Sequence, residues 1–164
     1  MFDAITYFSD MTEHNKLAVR EGFKPVTISG PDNLEGLFED YRDYDRFVAI
    51  TDTNTGNLSS PDGTYGFSKN RVYTVFILSA YEHDNMESRQ QELELCRGLF
   101  LQMMSKLLKD KYEYQEELMY VDTHNIPNQE LGRYYLSGMT GLFFQIAVAE
   151  PVTLEYDAGQ WTTD

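Results

Sequence analysis

The sequence predicts an α+β fold: a single mixed or antiparallel β-sheet of about four to five strands, with a long amphipathic helix packed on one face and short N-terminal helices. Three stretches carry this expectation. In RVYTVFILSAY, from Arg71 to Tyr81, both alternating residue sets are largely apolar, Val72, Phe76 and Leu78 on one and Tyr73, Val75 and Ile77 on the other. That is the pattern of a central strand covered on two sides. The chain then turns directly into a helix expected over 86–110, roughly 37 Å long at the standard rise. GLFFQIAVA, Gly141–Ala149, repeats the two-sided strand pattern near the other end.

The remaining elements follow in order. Ala4, Ile5, Phe8 and Met11 give residues 3–20 a modest apolar stripe, with Gly22 placed as a stop. FKPVTIS, Phe23–Ser29, is a short edge strand, because Pro25 has no donor to offer a ladder. Asp32 with Glu35 resembles a capping box and predicts a short helix over 33–43, weakened by Gly36. FVAITD, Phe47–Asp52, is β-branched and alternating, hence a strand. The turn-rich Thr53–Asn70 is expected as a long loop joining two antiparallel strands, a binding or assembly arm if it is more than a mobile hairpin tip.

Asp84 is the expected cap of the long helix, with Glu87 in its first turn. The helix carries a narrow stripe at Leu93 and Cys96, then widens to Leu99, Phe100, Leu101, Met103, Met104, Leu107 and Leu108. Such widening predicts cover on more than one side, from the same fold or from a neighbouring subunit. A short strand is expected at Leu118–Val121, a connector between Pro127 and Gly132, and an interruption of the last strand at Pro151. The division expected is one domain over 1–156 and a flexible tail over 157–164.

Composition bounds the function. With 164 residues, the chain suits one core, and its Tyr 12 and Phe 10 supply buried area despite a mean hydropathy of -0.48. A formal net charge of -14 opposes phosphate binding and favours solubility, repulsion from DNA or a basic partner. The lone Cys96 excludes an internal disulfide and a thiolate metal cluster. The N-terminal residues lack the basic and apolar regions of a secretory signal, and no run approaches the roughly 18–20 apolar residues of a membrane span. The expected place of synthesis is the cytosol.

Chemistry-bearing motifs are sparse. His14, His83 and His124 form no zinc-protease pair, and the Glu82–Asp84 corner around His83 is better read as capping and solvation than as a metal corner. Asp52–Asn57 begins like a calcium loop, yet Asn57 stands where the turn needs Gly and Gly63 where a bidentate Glu should sit. Asp32, Glu35, Glu39, Asp40, Asp43 and Asp45 form a dense acidic patch, read as a solvated helix face, with hydrolysis at Asp40 and Asp43 the weaker alternative. The expectation is a non-enzyme with no cofactor and no metal.

Taken with this order of elements, FVAITDT (47–53), RVYTVFILSAYEHDN (71–85) leading into the helix, and GLFFQIAVAEP (141–151) resemble the small tail-completion or tail-terminator proteins of long-tailed bacteriophages. The likeness spans roughly residues 1–155 and is one of pattern, without a diagnostic motif. It implies a structural virion component, made in the host cytoplasm, that assembles as a homo-oligomeric ring, commonly hexameric. The ring caps the tail tube and joins it to neck proteins. It implies no sequence-specific nucleic-acid binding and no membrane. Tyr65, Phe67 and Lys69 of the arm and Phe100, Met104 and Leu108 of the helix are then the expected subunit contacts. The competing expectation, resting on charge alone, is an acidic DNA mimic that occupies a basic cleft on a host protein.

Overall fold

A computed structural model describes residues 1–30, 36, 44–60, 63, 66–113, 116–132 and 138–162. Their elements are α1 (Ala4–His14), α2 (Lys16–Glu21), β1 (Lys24–Ile28), β2 (Arg46–Thr51), β3 (Thr55–Ser59), β4 (Phe67–Ala80), α3 (Met86–Tyr112), β5 (Asn128–Glu130) and β6 (Met139–Val152). The class is α+β with one mixed sheet, and the sheet has six strands rather than four or five. Its order is β1-β2-β4-β6-β5, with β3 pairing β4 beyond the end of β2. Only β1 and β2 run parallel, which requires a crossover between them. The helix expected over 33–43 lies outside the described residues, apart from Gly36.

β4 and β6 form the centre. They pair antiparallel without a break from Phe67↔Val152 to Ala80↔Met139. Their alternation sends two apolar sets to opposite faces, as their sequences require. On one face Tyr73, Val75, Ile77, Phe144 and Ile146 meet Phe8 of α1 and Leu99, Met103 and Leu107 of α3. Phe144 sits between two rings, 5.5 Å from Phe8 and 5.3 Å from Phe100. The other face gathers Phe47, Ala49, Phe76 and Leu78 with Leu131 and Met139.

Several local expectations are corrected. The first helix is two, because Asn15 ends α1 and its side chain accepts from the Ala18 amide to start α2, which stops at left-handed Gly22. Asn85, not Asp84, caps α3 by accepting from the Ser88 amide, and Asp84 takes φ 58 in the turn before it. Leu118–Val121 is not a strand: Glu116–Leu118 is a 3-10 turn, and Val121 makes one bridge to Val148. The 127–132 connector contains the short edge strand β5.

The largest correction is Thr53–Asn70, most of whose described residues are strand rather than loop. Polar side chains knit this ribbon, the Asn70 amide donating to Asn57 at 2.8 Å and to Ser59 at 2.9 Å. β6 likewise runs through Pro151. The Ala149 amide points outward to the Tyr120 carbonyl, so by alternation the donor that Pro151 lacks belongs to the outer edge and costs β4 nothing.

Two glycines permit close backbone contact. A Cβ at Gly141, which has φ 145, would stand 1.9 Å from the Ile77 carbonyl oxygen, and one at Gly56 would stand 1.9 Å from that of Asn70. Gly141→Ala is expected to destabilise the fold by more than about 2 kcal/mol. A lowered urea midpoint with an unchanged slope checks this, and an unchanged midpoint would refute it.

Candidate assembly surface

α3 starts just past one end of β4 and runs back over the sheet, ending where Lys111 donates to the Val121 carbonyl and Val121 bridges Val148. Val148 pairs with Arg71. Beyond that pair the sheet continues as a three-stranded arm of β3, the start of β4 and the end of β6, with no helix over it among the described residues. β3 is exposed from Thr55 to Leu58, and its outer edge has no strand partner among the described residues.

The root of the arm is tied by charge. Arg71 is 7% exposed and donates to Glu150 across the β4–β6 pair, while the Phe2 amide donates to the second Glu150 oxygen at 2.9 Å. The Arg71 guanidinium also lies 5.8 Å from the Tyr73 ring centre, and Phe2 packs edge-on against that ring. Nearby, buried Asp110 accepts from Tyr7 at 2.8 Å and from Lys106. Burial, reinforced by that carboxylate, pushes the Tyr7 phenol far above its ordinary range. A third tie lies at the opposite end, where Arg46 grips Glu92 at 2.9 and 3.1 Å and Ser79 donates to the same carboxylate.

The expected contact residues are partly brought together. Phe67 and Lys69 lie on the arm; Phe100 and Met104 are half-buried against the core; Leu108 is 40% exposed. The second half of α3 lies against the sheet through Leu99, Met103 and Leu107 and meets the N-terminal helices where Tyr7 donates to Asp110 and Asn15 to Gln102, while Leu101 is left 65% exposed. Tyr65, Asp32, Glu35, Glu39, Asp40 and Asp43 lie outside the described residues, and Asp45 is exposed.

The structure adds residues that sequence reasoning missed. Exposed large apolar side chains line the arm and surround the end of α3, Leu58, Leu154, Tyr112 and Tyr120 among them, and Tyr156 and Trp161 are exposed in the segment that follows β6. A groove of about 520 Å³ on the arm is lined by Leu58, Lys69, Val152 and Leu154 together with Asn54 and Asn70. A second, of about 340 Å³, lies between Leu108, Tyr112 and His124 at the end of α3. The signal available in the sequence was the apolar and aromatic content of the segment after Pro151. Among the described residues no group of three or more His, Cys, Asp or Glu is placed to hold a metal, and no helix is long and apolar enough to cross a membrane.

No protein family matches the sequence, and no curated protein matches it. The surface itself therefore carries the functional argument.

Two outcomes are expected. Arg71→Met leaves Glu150 short of its counter-ion and costs about 3 kcal/mol, while Arg71→Met with Glu150→Leu recovers at least half of that loss in denaturant titrations. Cys96, whose thiol burial pushes up to about 12, holds almost no thiolate at pH 8. A thiol reagent at that pH should label the unfolded chain promptly and the native chain only as fast as it opens.

Proposed function

We propose that this chain is a phage or prophage tail-terminator subunit, a head-to-tail joining protein that acts as a homo-oligomeric ring on the tail tube. The observation that carries the reading is the crowding of exposed apolar side chains at one end of the molecule, on the projecting arm and the last turns of α3. A monomer gains nothing by exposing Leu108 and Tyr112 at the end of α3 and Leu58 and Leu154 on the arm, whereas a subunit interface removes them from water. A long helix packed against a central strand pair, with a hairpin arm beyond it, also suits the element order on which the resemblance rests.

Charge supports the same reading. A net charge of -14 on each copy suits a conduit along which DNA moves without adhering, because an acidic wall offers no exchange of condensed counterions. The chain's partners in this reading are further copies of itself, the tail tube and neck proteins. No catalytic role is assigned to the acids.

Native mass spectrometry tests the proposal, with six copies the expected stoichiometry. Leu108→Glu should keep the helical circular dichroism of the native chain and weaken assembly at least tenfold. Assembly unchanged by this substitution would remove the end of α3 from the interface. A 1:1 complex with a basic host protein that dissociates at high salt, in a chain that stays monomeric at high micromolar concentration, would favour the DNA mimic instead.

A further inference from the structure

The helix-side face of the arm holds an exposed cation, without an ion pair among the described residues, beside apolar side chains. Register places Leu58, Lys69 and Glu150 side by side across three strands, with Phe67 and Val152 two residues further along the same face. Both Glu150 oxygens are occupied, one by Arg71 and one by the Phe2 amide. Lys69 is exposed and makes no ion pair among the described residues. In a chain with 27 acidic and 13 basic residues, a lysine left without a counter-ion beside a groove is a recognition feature. α3 ends before this part of the sheet, and Leu58 is left 52% exposed.

The same chain carries a segment of complementary chemistry. Residues 153–161 follow β6 and are exposed throughout. The segment is folded locally rather than featureless: Asp157 accepts from the Gly159 amide to cap the 3-10 turn Ala158–Gln160, and the Tyr156 and Trp161 rings stack 6.2 Å apart across it. It thus presents two preorganised rings, 75% and 65% exposed, beside the carboxylate of Glu155, which has no ion pair among the described residues. Preorganisation lowers the ordering cost of docking.

We infer that the groove around Leu58 and Lys69 receives the Glu155–Trp161 turn of a second copy, Glu155 meeting Lys69 and the stacked rings covering Leu58 and Val152. This rests on the ring-subunit reading and supplies a contact for it. Each copy bears one groove and one plug, and a groove that takes a neighbour's plug makes a heterologous contact, which closes into a ring when the rotation per subunit permits. Opposite charge at this one point also offsets the repulsion between two strongly acidic chains.

Trp161 is the only tryptophan, so its emission reports the plug directly. A synthetic peptide of residues 153–162 is titrated into the full chain carrying Trp161→Phe. Its emission should shift to the blue on saturable binding, Lys69→Glu in the receptor should weaken binding at least tenfold, and a Glu155→Lys peptide should restore affinity for that receptor. No saturable shift at millimolar receptor, or equal binding by the Lys69→Glu receptor, overturns the inference. In the unaltered chain, Trp161 emission should follow assembly as concentration rises. Emission already blue in the monomer and constant with concentration would mean that each plug folds onto its own subunit, and overturns it too. Assembly into a ring in which Trp161 stays water-exposed would overturn the inference while leaving the ring-subunit reading intact. Peptide binding by a chain that never assembles would support the groove and count against the ring.

Discussion

The unbroken antiparallel register of β4 with β6 is the constraint from which the rest of the structure follows. Each strand is 14 residues, close to 47 Å of extended chain, whereas α3 at 27 residues spans about 40 Å and begins only after the turn at 81–85. Paired along their whole length, the strands must outrun the helix at one end. The covered portion is the core; the uncovered portion is the arm. Core and candidate assembly surface are therefore two parts of the same pair of strands.

The passage from one to the other is handled by polar contacts. Where the apolar stripe of the sheet gives out, Arg71 and Glu150 sit across the strands, largely shielded from water, and Glu150 also holds the backbone of Phe2. Such a pair contributes little over well-packed apolar residues, because desolvation offsets most of the attraction. Its effect is directional. It fixes the N-terminal residues against the root of the arm, and with Glu150 so occupied the neighbouring Lys69 makes no ion pair among the described residues. A tie within the fold thus shapes the charge available outside it.

Legibility in the sequence followed periodicity. The two-sided apolar alternation of Arg71–Ala80 and Gly141–Ala149 identified the central strands, and the stripe through Leu93, Cys96, Leu99 and Met103 identified the long helix. Strands made of turn formers were hidden. Thr55–Ser59 has the composition of a loop, and it becomes β3 because β4 offers it a ladder, because Asn70 bonds to Asn57 and Ser59, and because Gly56 admits the approach of the Asn70 carbonyl. The ladder and the Asn70 amide belong to the next strand, so the composition of 55–59 alone does not show them. Asn128–Glu130 was hidden for the same reason, its strand state being conferred by β6. Of the contact residues expected on the arm and helix, Phe67, Lys69 and Leu108 have exposed or half-buried positions at one end of the molecule, while the aromatic turn at Tyr156–Trp161 went unnoticed because stacking across a capped turn leaves no periodic trace.

The sequence by itself determined the α+β class, the two-faced centre of the sheet, the long helix and the strong acidity, since each depends on local pattern or on a sum over residues. Tertiary structure alone decided how many strands join the sheet, which of them run parallel, and that Leu101 of α3 is left exposed. It also decided that a stretch composed like a loop stands out as a paired arm with an exposed lysine on its face. These are outcomes of pairing between distant segments, and a strand edge or a helix flank is left open or closed only by what the rest of the chain brings to it.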